Sequence, residues 1–183
     1  NLSLDSRKVK NRIVNDMFKK CIKSRPSPIY NKKFLDRIRL GNFDDDIDKI
    51  SEVDWIIEVV VEKLDIKKSV FDLVEKHRKT GTIITSNTSG IPIKLMNEDR
   101  SDDFKKCFAI THFFNPPRYL NLFEVVPGPD CDKDILNFLL EYGEKFLGKT
   151  SVLAKDTPAF IGNRIGIFGI MSLFHQIKNG EYS

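Results

Sequence analysis

The chain has 183 residues, of which 40% are hydrophobic and 31% charged, and its net charge is +4. This length and composition fit one folded domain with its own core, and they argue against a disordered or fibrous protein. No apolar run in the sequence approaches the roughly 20 residues that a membrane-spanning helix needs. The basic residues are scattered and are not interleaved with aromatic ones, which disfavours a nucleic-acid-binding protein.

Three cysteines, Cys21, Cys107 and Cys131, form no Cys-x-x-Cys pair. An odd number of cysteines without metal-ligand spacing is typical of reduced thiols, so we expect a cytoplasmic protein without a disulfide framework. No cluster of His, Cys and Asp has metal-ligand spacing either, and we predict no metal site.

The first fifty residues predict helix and turn. Apolar residues recur at helical spacing over residues 6–24, and the prolines of Arg25-Pro26-Ser27-Pro28 end that helix. Ile38-Arg39-Leu40 is a candidate short strand, and the acidic run at residues 44–46 indicates a turn and a helix start. The predicted inward face of the first helix comprises Val9, Ile13, Met17 or Phe18, and Cys21 or Ile22.

The middle of the chain alternates strands with helices. Residues 54–62 are a nearly continuous apolar run rich in β-branched side chains, which predicts a strand buried on both faces. A helix is predicted from about Asp65 to Thr80, and strands at residues 82–85 and 108–111 flank a short helix around Leu95. This alternation predicts βαβ units with right-handed crossovers, and hence a mostly parallel sheet.

The last third repeats the pattern. Residues 121–126 and 150–154 read as strands on either side of a helix over residues 134–146, which Gly148 caps. Asp156-Thr157-Pro158 predicts the start of a final helix, with a capping residue and a proline at the first helical position.

A histidine that follows a predicted buried strand and a carboxylate that lies within another are candidate catalytic residues. His112 comes where the apolar run at residues 108–110 gives way to Asn115 and two prolines, and Glu124 is flanked by Phe123 and Val125. A buried carboxylate needs a cation or a donor, and an imidazole held by a carboxylate is a general base. The alternative is that His112 merely caps a strand while Glu124 points to solvent.

Polar residues follow other strands as well, and ligands of open α/β sheets bind at the carboxyl ends of strands. The candidates are Glu62, residues 86–89, His112 with Asn115, and Asp156 with Asn163. Each has a simpler alternative: residues 86–89 fit a turn and helix cap, and Glu62 with Lys67 fits a solvated ion pair at a helix start.

Four motifs together resemble the L-3-hydroxyacyl-CoA dehydrogenase family, and its bacterial multidomain fatty-oxidation branch in particular. They cover most of the chain in order: Ser-Asn-Thr-Ser at 86–89, Thr-His-Phe-Phe-Asn-Pro at 111–116, Glu124 before Val-Val-Pro, and Lys-Asp-Thr-Pro-Ala-Phe-Ile-Gly-Asn-Arg at 155–164. The resemblance implies a Rossmann-like α/β fold and NAD-dependent oxidation of a (3S)-3-hydroxyacyl-CoA in fatty-acid β-oxidation.

The resemblance also implies roles for individual residues. His112 would take the proton of the substrate 3-hydroxyl, Glu124 would orient His112, and Ser89 and Asn163 would hydrogen-bond substrate oxygens. The positions matching family contacts to the dinucleotide are Glu62, Lys67, Ser89 and Asn115.

The sequence departs from the family in lacking a first strand with a Gly-x-Gly-x-x-Gly turn, which cradles the pyrophosphate. We therefore expect a fragment of a larger protein, with a partial NAD-binding domain at residues 1–154 and the start of a helical C-terminal domain at residues 155–183. An unpaired strand edge at residues 54–62 would allow homo-oligomers to form, and the fragment alone would bind NAD weakly or not at all. Two other functions are consistent with the sequence: a non-catalytic module of a larger assembly, and a dehydrogenase for a free hydroxy acid.

Overall fold

The computed structural model describes residues 3–180 and shows an α/β fold built on a five-stranded sheet. The strands are β1 (Trp55–Glu58), β2 (Ile83–Ser86), β3 (Phe108–Phe113), β4 (Leu122–Pro127) and β5 (Thr150–Leu153). The α-helices are α1 (Arg7–Lys10), α2 (Arg12–Lys23), α3 (Phe43–Asp46), α4 (Leu64–His77), α5 (Ile93–Met96), α6 (Asp102–Cys107), α7 (Lys133–Lys145) and α8 (Gly162–Lys178). Two 3-10 helices span Lys32–Arg37 and Ile47–Glu52.

The sheet is mostly parallel, as predicted, with strands in the order β1-β2-β3-β4-β5. Three neighbouring pairs are parallel, and only β3 and β4 run antiparallel, which places His112 directly opposite Glu124. A short connection of residues 114–121 suffices for this reversal because antiparallel neighbours need no crossover helix.

The core lies on both faces of the sheet, as the two-residue alternation of strand side chains requires. On one face, Ile84, Phe108 and Ile110 pack with Phe71 of α4 and Phe104 of α6. On the other face, the strand residues Ala109, Phe123 and Val125 pack against Leu139 of α7. The sheet is therefore the middle layer of three, with helices on either side.

Close packing of α7 on β4 and β5 depends on one glycine. A Cβ added at Gly143 would lie 2.4 Å from Ser151 Oγ and 2.7 Å from Phe123 Cδ1, distances too short for any side chain. Gly148 ends the α7 region at φ +62°, the left-handed conformation predicted for its capping role.

The predicted strand over residues 54–62 is wrong in its length and its burial. β1 ends at Glu58, and within the described residues it is an edge strand. Ile57 is consequently 43% exposed and Val59, past the strand end, is 67% exposed. The chain turns at residues 59–63 instead of extending, because Glu58 bonds back to the amide of Val60.

Two further sequence predictions need correction, and one helix was not predicted. Residues 38–40 form no strand, since they connect a 3-10 helix to α3 in an irregular conformation. On the predicted inward face of the first helix, Val9 and the alternatives Phe18 and Ile22 are half-buried. Ile13 is wrong, because it is 66% exposed while Val14 turns inward instead. The sequence reading also left α6 unrecognised, although Ser101 caps it through the amide of Phe104.

The final helix begins later than predicted. α8 starts at Gly162, and residues 155–161 form an irregular turn in which Asp156 accepts a hydrogen bond from the Ile93 amide at 2.9 Å. Asp156 therefore anchors the turn to α5 and does not cap α8. None of the α8 residues is fully buried, and no helix among residues 3–180 combines the length and apolarity that crossing a membrane requires.

Candidate active site

His112 and Glu124 form a buried pair at the centre of the antiparallel β3–β4 ladder. The Nδ1 atom of His112 lies 2.6 Å from Oε2 of Glu124, and the structure leaves His112 4% exposed and Glu124 fully enclosed. Because a carboxylate only accepts hydrogen bonds, Nδ1 carries the proton and donates. The predicted pairing is thus present in the structure, and the alternative of a solvent-facing Glu124 is wrong.

The second oxygen of Glu124 is held by backbone amides. Its Oε1 accepts hydrogen bonds from Ile161 N at 2.9 Å and Gly162 N at 2.8 Å, where α8 begins. The N-terminus of a long helix carries unsatisfied N–H groups and partial positive charge, so it suits a carboxylate. Both oxygens of Glu124 therefore accept hydrogen bonds, and these bonds fix the position of the carboxylate relative to His112.

The turn that delivers these amides has an unusual backbone. Ala159 and Phe160 adopt positive φ angles of 63° and 45°, which cost free energy for residues with a side chain. Gly162 is sterically required, because an added Cβ would lie 2.7 Å from Cζ of Phe114. Sequence reasoning missed Ile161 and Gly162 because backbone donors leave no side-chain signal; the Ile-Gly pair within the family-like motif was the available hint.

The other ring nitrogen of His112 points towards Ser89. With the proton on Nδ1, Nε2 has a free lone pair, and it lies 3.2 Å from Oγ of the exposed residue Ser89. The rings of Phe114 and Phe160 flank the imidazole with centroids 4.7 Å and 5.5 Å away. The imidazole is backed by a carboxylate and shielded by apolar rings, and its neutral form can accept a proton at Nε2.

Glu62 lies next to Ser89 at the same edge. Its carboxylate accepts hydrogen bonds from the Thr88 hydroxyl and from Ser89 N at 3.0 Å. Burial alone would raise the pKa of Glu62, but these bonds and the nearby Lys67 charge outweigh it and hold the pKa below its ordinary value. The loop of residues 86–89 is therefore more than a turn and helix cap, because it joins Glu62 to His112 through Ser89.

Lys67 is buried, contrary to the solvated ion pair considered from the sequence. Its side chain is 1% exposed, and its Nζ lies 2.9 Å from both carboxylate oxygens of Glu58 and 3.3 Å from Oε2 of Glu62. Glu58 is a residue that the sequence analysis missed. Glu58 could have been found as the polar residue that ends β1, but the strand was predicted to continue to Glu62.

The two predicted asparagines occupy different places. Asn163 follows Gly162 in the first turn of α8 and is half-buried beside the Glu124 amide contacts. Asn115 is exposed, three residues beyond His112, and borders a groove that includes Cys21, Pro26 and Arg118.

Asn87 links the two loops of the site. Its Oδ1 accepts a hydrogen bond from Phe113 N at 2.9 Å, which ties the end of β3 to the loop after β2. His77 lies outside the site, where its Nδ1 is 2.7 Å from Asp48. Among residues 3–180, no group of three or more His, Cys, Asp and Glu side chains is placed to bind a metal ion.

Comparisons with known proteins identify the family of this chain. The family model described as "3-hydroxyacyl-CoA dehydrogenase, NAD binding domain" matches residues 4–157. A probable 3-hydroxyacyl-CoA dehydrogenase of Bacillus subtilis is 50% identical over 181 residues, covering 99% of this chain and 23% of the relative. A probable 3-hydroxyacyl-CoA dehydrogenase of Deinococcus radiodurans is 43% identical over 162 residues, covering 88% of this chain and 47% of the relative.

Solved structures show the same fold. The (S)-3-hydroxybutyryl-CoA dehydrogenase of Ralstonia eutropha superposes with a TM-score of 0.75 at 25% identity, over 97% of this chain and 62% of that one. FadB2 of M. tuberculosis superposes with a TM-score of 0.74 at 23% identity, over 95% of this chain and 60% of that one. The chain spans from about a quarter to about a half of the length of the curated relatives named above.

Proposed function

Since the chain belongs to the 3-hydroxyacyl-CoA dehydrogenase family, we propose that it supplies the NAD-binding part and the general base of an enzyme that oxidises (3S)-3-hydroxyacyl-CoA to 3-oxoacyl-CoA. The observation that supports this proposal most is the His112–Glu124 pair, with Nε2 of His112 open towards Ser89. Oxidation of an alcohol needs a base at the hydroxyl while hydride leaves the same carbon, and this imidazole is placed to act as that base.

Glu124 supports the base in two ways. It keeps the proton of neutral His112 on Nδ1, so Nε2 accepts the proton of the substrate 3-hydroxyl. After that transfer the carboxylate stabilises the imidazolium cation, and the amides of Ile161 and Gly162 keep it from turning away.

Ser89 and Asn163 are proposed to hold the substrate oxygens. The Ser89 hydroxyl already lies within hydrogen-bonding distance of Nε2, so a substrate hydroxyl placed there can bond to both groups. Asn163 lies beside the Gly162 amide on α8, close in sequence to the turn that carries Phe160. Holding C3 of the substrate in one orientation accounts for much of the rate enhancement that such sites achieve.

The residues at the carboxyl ends of β1 and β2 fit a dinucleotide. Glu62 keeps a half-exposed carboxylate there, Ser89 is exposed beside it, and a Cβ at Gly90 would meet open space. We propose that Glu62, Ser89 and Asn115 bind NAD, with Lys67 acting from beneath Glu62. The bound cofactor would accept the hydride from C3, and the protein would supply the geometry and the base.

A role in fatty-acid β-oxidation is proposed because a putative fatty acid oxidation complex trifunctional enzyme of Rickettsia prowazekii is 37% identical over 166 residues, covering 91% of this chain and 23% of that relative. The division into residues 1–154 and 155–183 is likewise a proposal; β5 ends at Leu153 and α8 has no fully buried residue. The outer ends of these two segments, residues 1–2 and 181–183, lie outside the described residues.

A substrate comparison in the full-length protein tests the proposal. We expect NADH formation from a (3S)-3-hydroxyacyl-CoA, and little from the corresponding free 3-hydroxy acid. Equal turnover of the free acid would instead identify a hydroxy-acid dehydrogenase. No turnover of either substrate by a protein that binds NAD would identify a non-catalytic module.

A further inference from the structure

A buried ion pair lies beneath the proposed dinucleotide site, and one of its members has no role in the reaction so far. Glu58 ends β1, and Lys67 lies near the start of α4. Both side chains are 1% exposed, and Nζ of Lys67 lies 2.9 Å from each oxygen of Glu58.

Glu58 joins three segments of the chain. Its Oε1 accepts a hydrogen bond from Val60 N at 2.6 Å, and its Oε2 accepts one from Ser86 Oγ at 2.5 Å. Together with Lys67, these contacts tie the turn after β1, the end of β2 and the first turns of α4 to one carboxylate. Every oxygen of Glu58 is thereby satisfied inside the protein, as a buried charge requires.

Stability alone does not explain why these two charges are buried. Moving both ions out of water costs several kcal/mol, and apolar residues of similar volume often replace such pairs without loss of stability. A buried ion pair does, however, fix the positions of its two charged groups. Lys67 Nζ also lies 3.3 Å from Oε2 of Glu62, the half-exposed carboxylate at the surface.

The contacts continue from Glu62 to the base. Glu62 accepts the Ser89 amide at 3.0 Å, and the Ser89 hydroxyl lies 3.2 Å from Nε2 of His112. A displacement of Lys67 would therefore move Glu62 and the exposed loop of Ser89 before it reached His112. The buried pair lies on the cofactor side of the site.

We propose that Glu58 is a positioning residue that acts through Lys67: it holds the ammonium group so that Glu62 and the Ser89 loop stay in the conformation that binds the dinucleotide. The inference depends on the proposed function, which assigns Glu62 to NAD. Without the charge of Glu58, Glu62 is the one remaining carboxylate within 4 Å of Lys67 among residues 3–180. The ammonium group then draws Glu62 inward and away from the ligand.

Substituting Glu58→Gln in the full-length protein tests this role. Glutamine keeps the size of the side chain and an oxygen for the Val60 amide, but it removes the charge opposite Lys67. We expect the NAD dissociation constant, measured by titration calorimetry, and the KM for NAD to rise about tenfold, as loss of one charge-assisted bond implies. The KM for hydroxyacyl-CoA, which also depends on Ser89, and kcat at saturating NAD should change by clearly smaller factors than the KM for NAD.

A matched control uses the neighbouring lysine. Lys68 forms an exposed ion pair with Glu98 at 2.5 Å. Glu98→Gln removes the same charge from an exposed pair and should leave NAD binding and stability nearly unchanged. A fall in melting temperature for Glu58→Gln with unchanged NAD binding would show that Glu58 is only structural and would overturn the proposal.

A double-mutant cycle tests the route through Lys67. In a Lys67→Met background, Glu58→Gln should weaken NAD binding by less than about a further twofold, because the residue it acts through is gone. A full tenfold effect in that background would contradict the proposal. Should Glu58→Gln not fold, Ser86→Ala removes one donor from the same carboxylate; a two- to threefold rise in the NAD dissociation constant supports the proposal, and no rise refutes it.

These measurements separate the inference from the proposed function. If the unsubstituted protein binds NAD but oxidises no hydroxyacyl-CoA, the proposed reaction is wrong while the NAD titrations still decide the role of Glu58. If the unsubstituted protein does not bind NAD at all, both the reaction and the role of Glu58 are wrong.

Discussion

Replacing Glu124 with glutamine perturbs the proposed base without changing the size of its partner. One oxygen of Glu124 accepts a hydrogen bond from His112, and the other accepts hydrogen bonds from the amides of Ile161 and Gly162. Glutamine has one oxygen and one NH₂ group, so its NH₂ donor must face either the N–H of His112 or the two backbone N–H groups. If the NH₂ faces His112, the ring proton must move to Nε2, and the base loses its free lone pair.

The size of the effect on kcat follows from the loss of one hydrogen bond to a charged group. A hydrogen bond to a charged group contributes about 1.5–3 kcal/mol, and each 1.36 kcal/mol changes a rate by about tenfold. Loss of the Glu124–His112 bond should therefore lower kcat by about ten- to 150-fold. If the NH₂ faces the two amides instead, the start of α8 is released and the protein loses stability by a similar amount.

The assay is NADH formation by the full-length protein at saturating NAD and hydroxyacyl-CoA. Glu141→Gln is a suitable control, because Glu141 is exposed on α7 and forms an exposed ion pair with Lys145. A Glu124→Gln enzyme within about threefold of normal kcat, with an unchanged melting temperature, would refute the reasoning.

Three further predictions follow from other contacts. Gly162→Ala should lower both stability and activity, because a Cβ at residue 162 would lie 2.7 Å from Phe114 Cζ; thermal melting and turnover check this, with Gly166→Ala, where there is open space, as the control. The pKa of Glu62 is lowered, so its contribution to stability is complete above its ordinary pKa of 4.5 and is lost as the pH falls through the lower folded value; the stability difference between the unsubstituted protein and Glu62→Gln should shrink below pH 4.5. Exposed Cys21 should be alkylated at neutral pH well before Cys131, because burial raises the pKa of Cys131 to about 11; mass spectrometry of labelled peptides measures the order.

The fold class could be predicted because the strands of this chain are strongly patterned. Runs such as residues 108–110 are apolar throughout, as strands covered on both faces must be, and the intervening helices α4 and α7 have apolar residues at helical spacing. The pairing of His112 with Glu124 was also predictable, since a carboxylate between Phe123 and Val125 needs a partner when it is buried.

Other parts of the site could not be predicted from the sequence. The antiparallel step between β3 and β4 depends on tertiary packing, because a strand pattern does not reveal its direction. The amides of Ile161 and Gly162 are donors that every residue has, and only the backbone angles of the preceding turn aim them at Glu124. The simpler alternative for Lys67, a solvated ion pair with Glu62, is wrong because Lys67 is buried and bonds Glu58, nine residues earlier in the chain.

The central claim is that Nε2 of His112 removes the proton of the substrate hydroxyl. The most direct test compares His112→Gln with the unsubstituted full-length protein, measuring both NADH formation from (3S)-3-hydroxyacyl-CoA and NAD affinity. We expect turnover to fall by about 10²-fold or more while the NAD dissociation constant changes little, because His112 acts on the substrate and is separated from Glu62 by Ser89. Turnover close to that of the unsubstituted protein would contradict the assignment of His112 as the base.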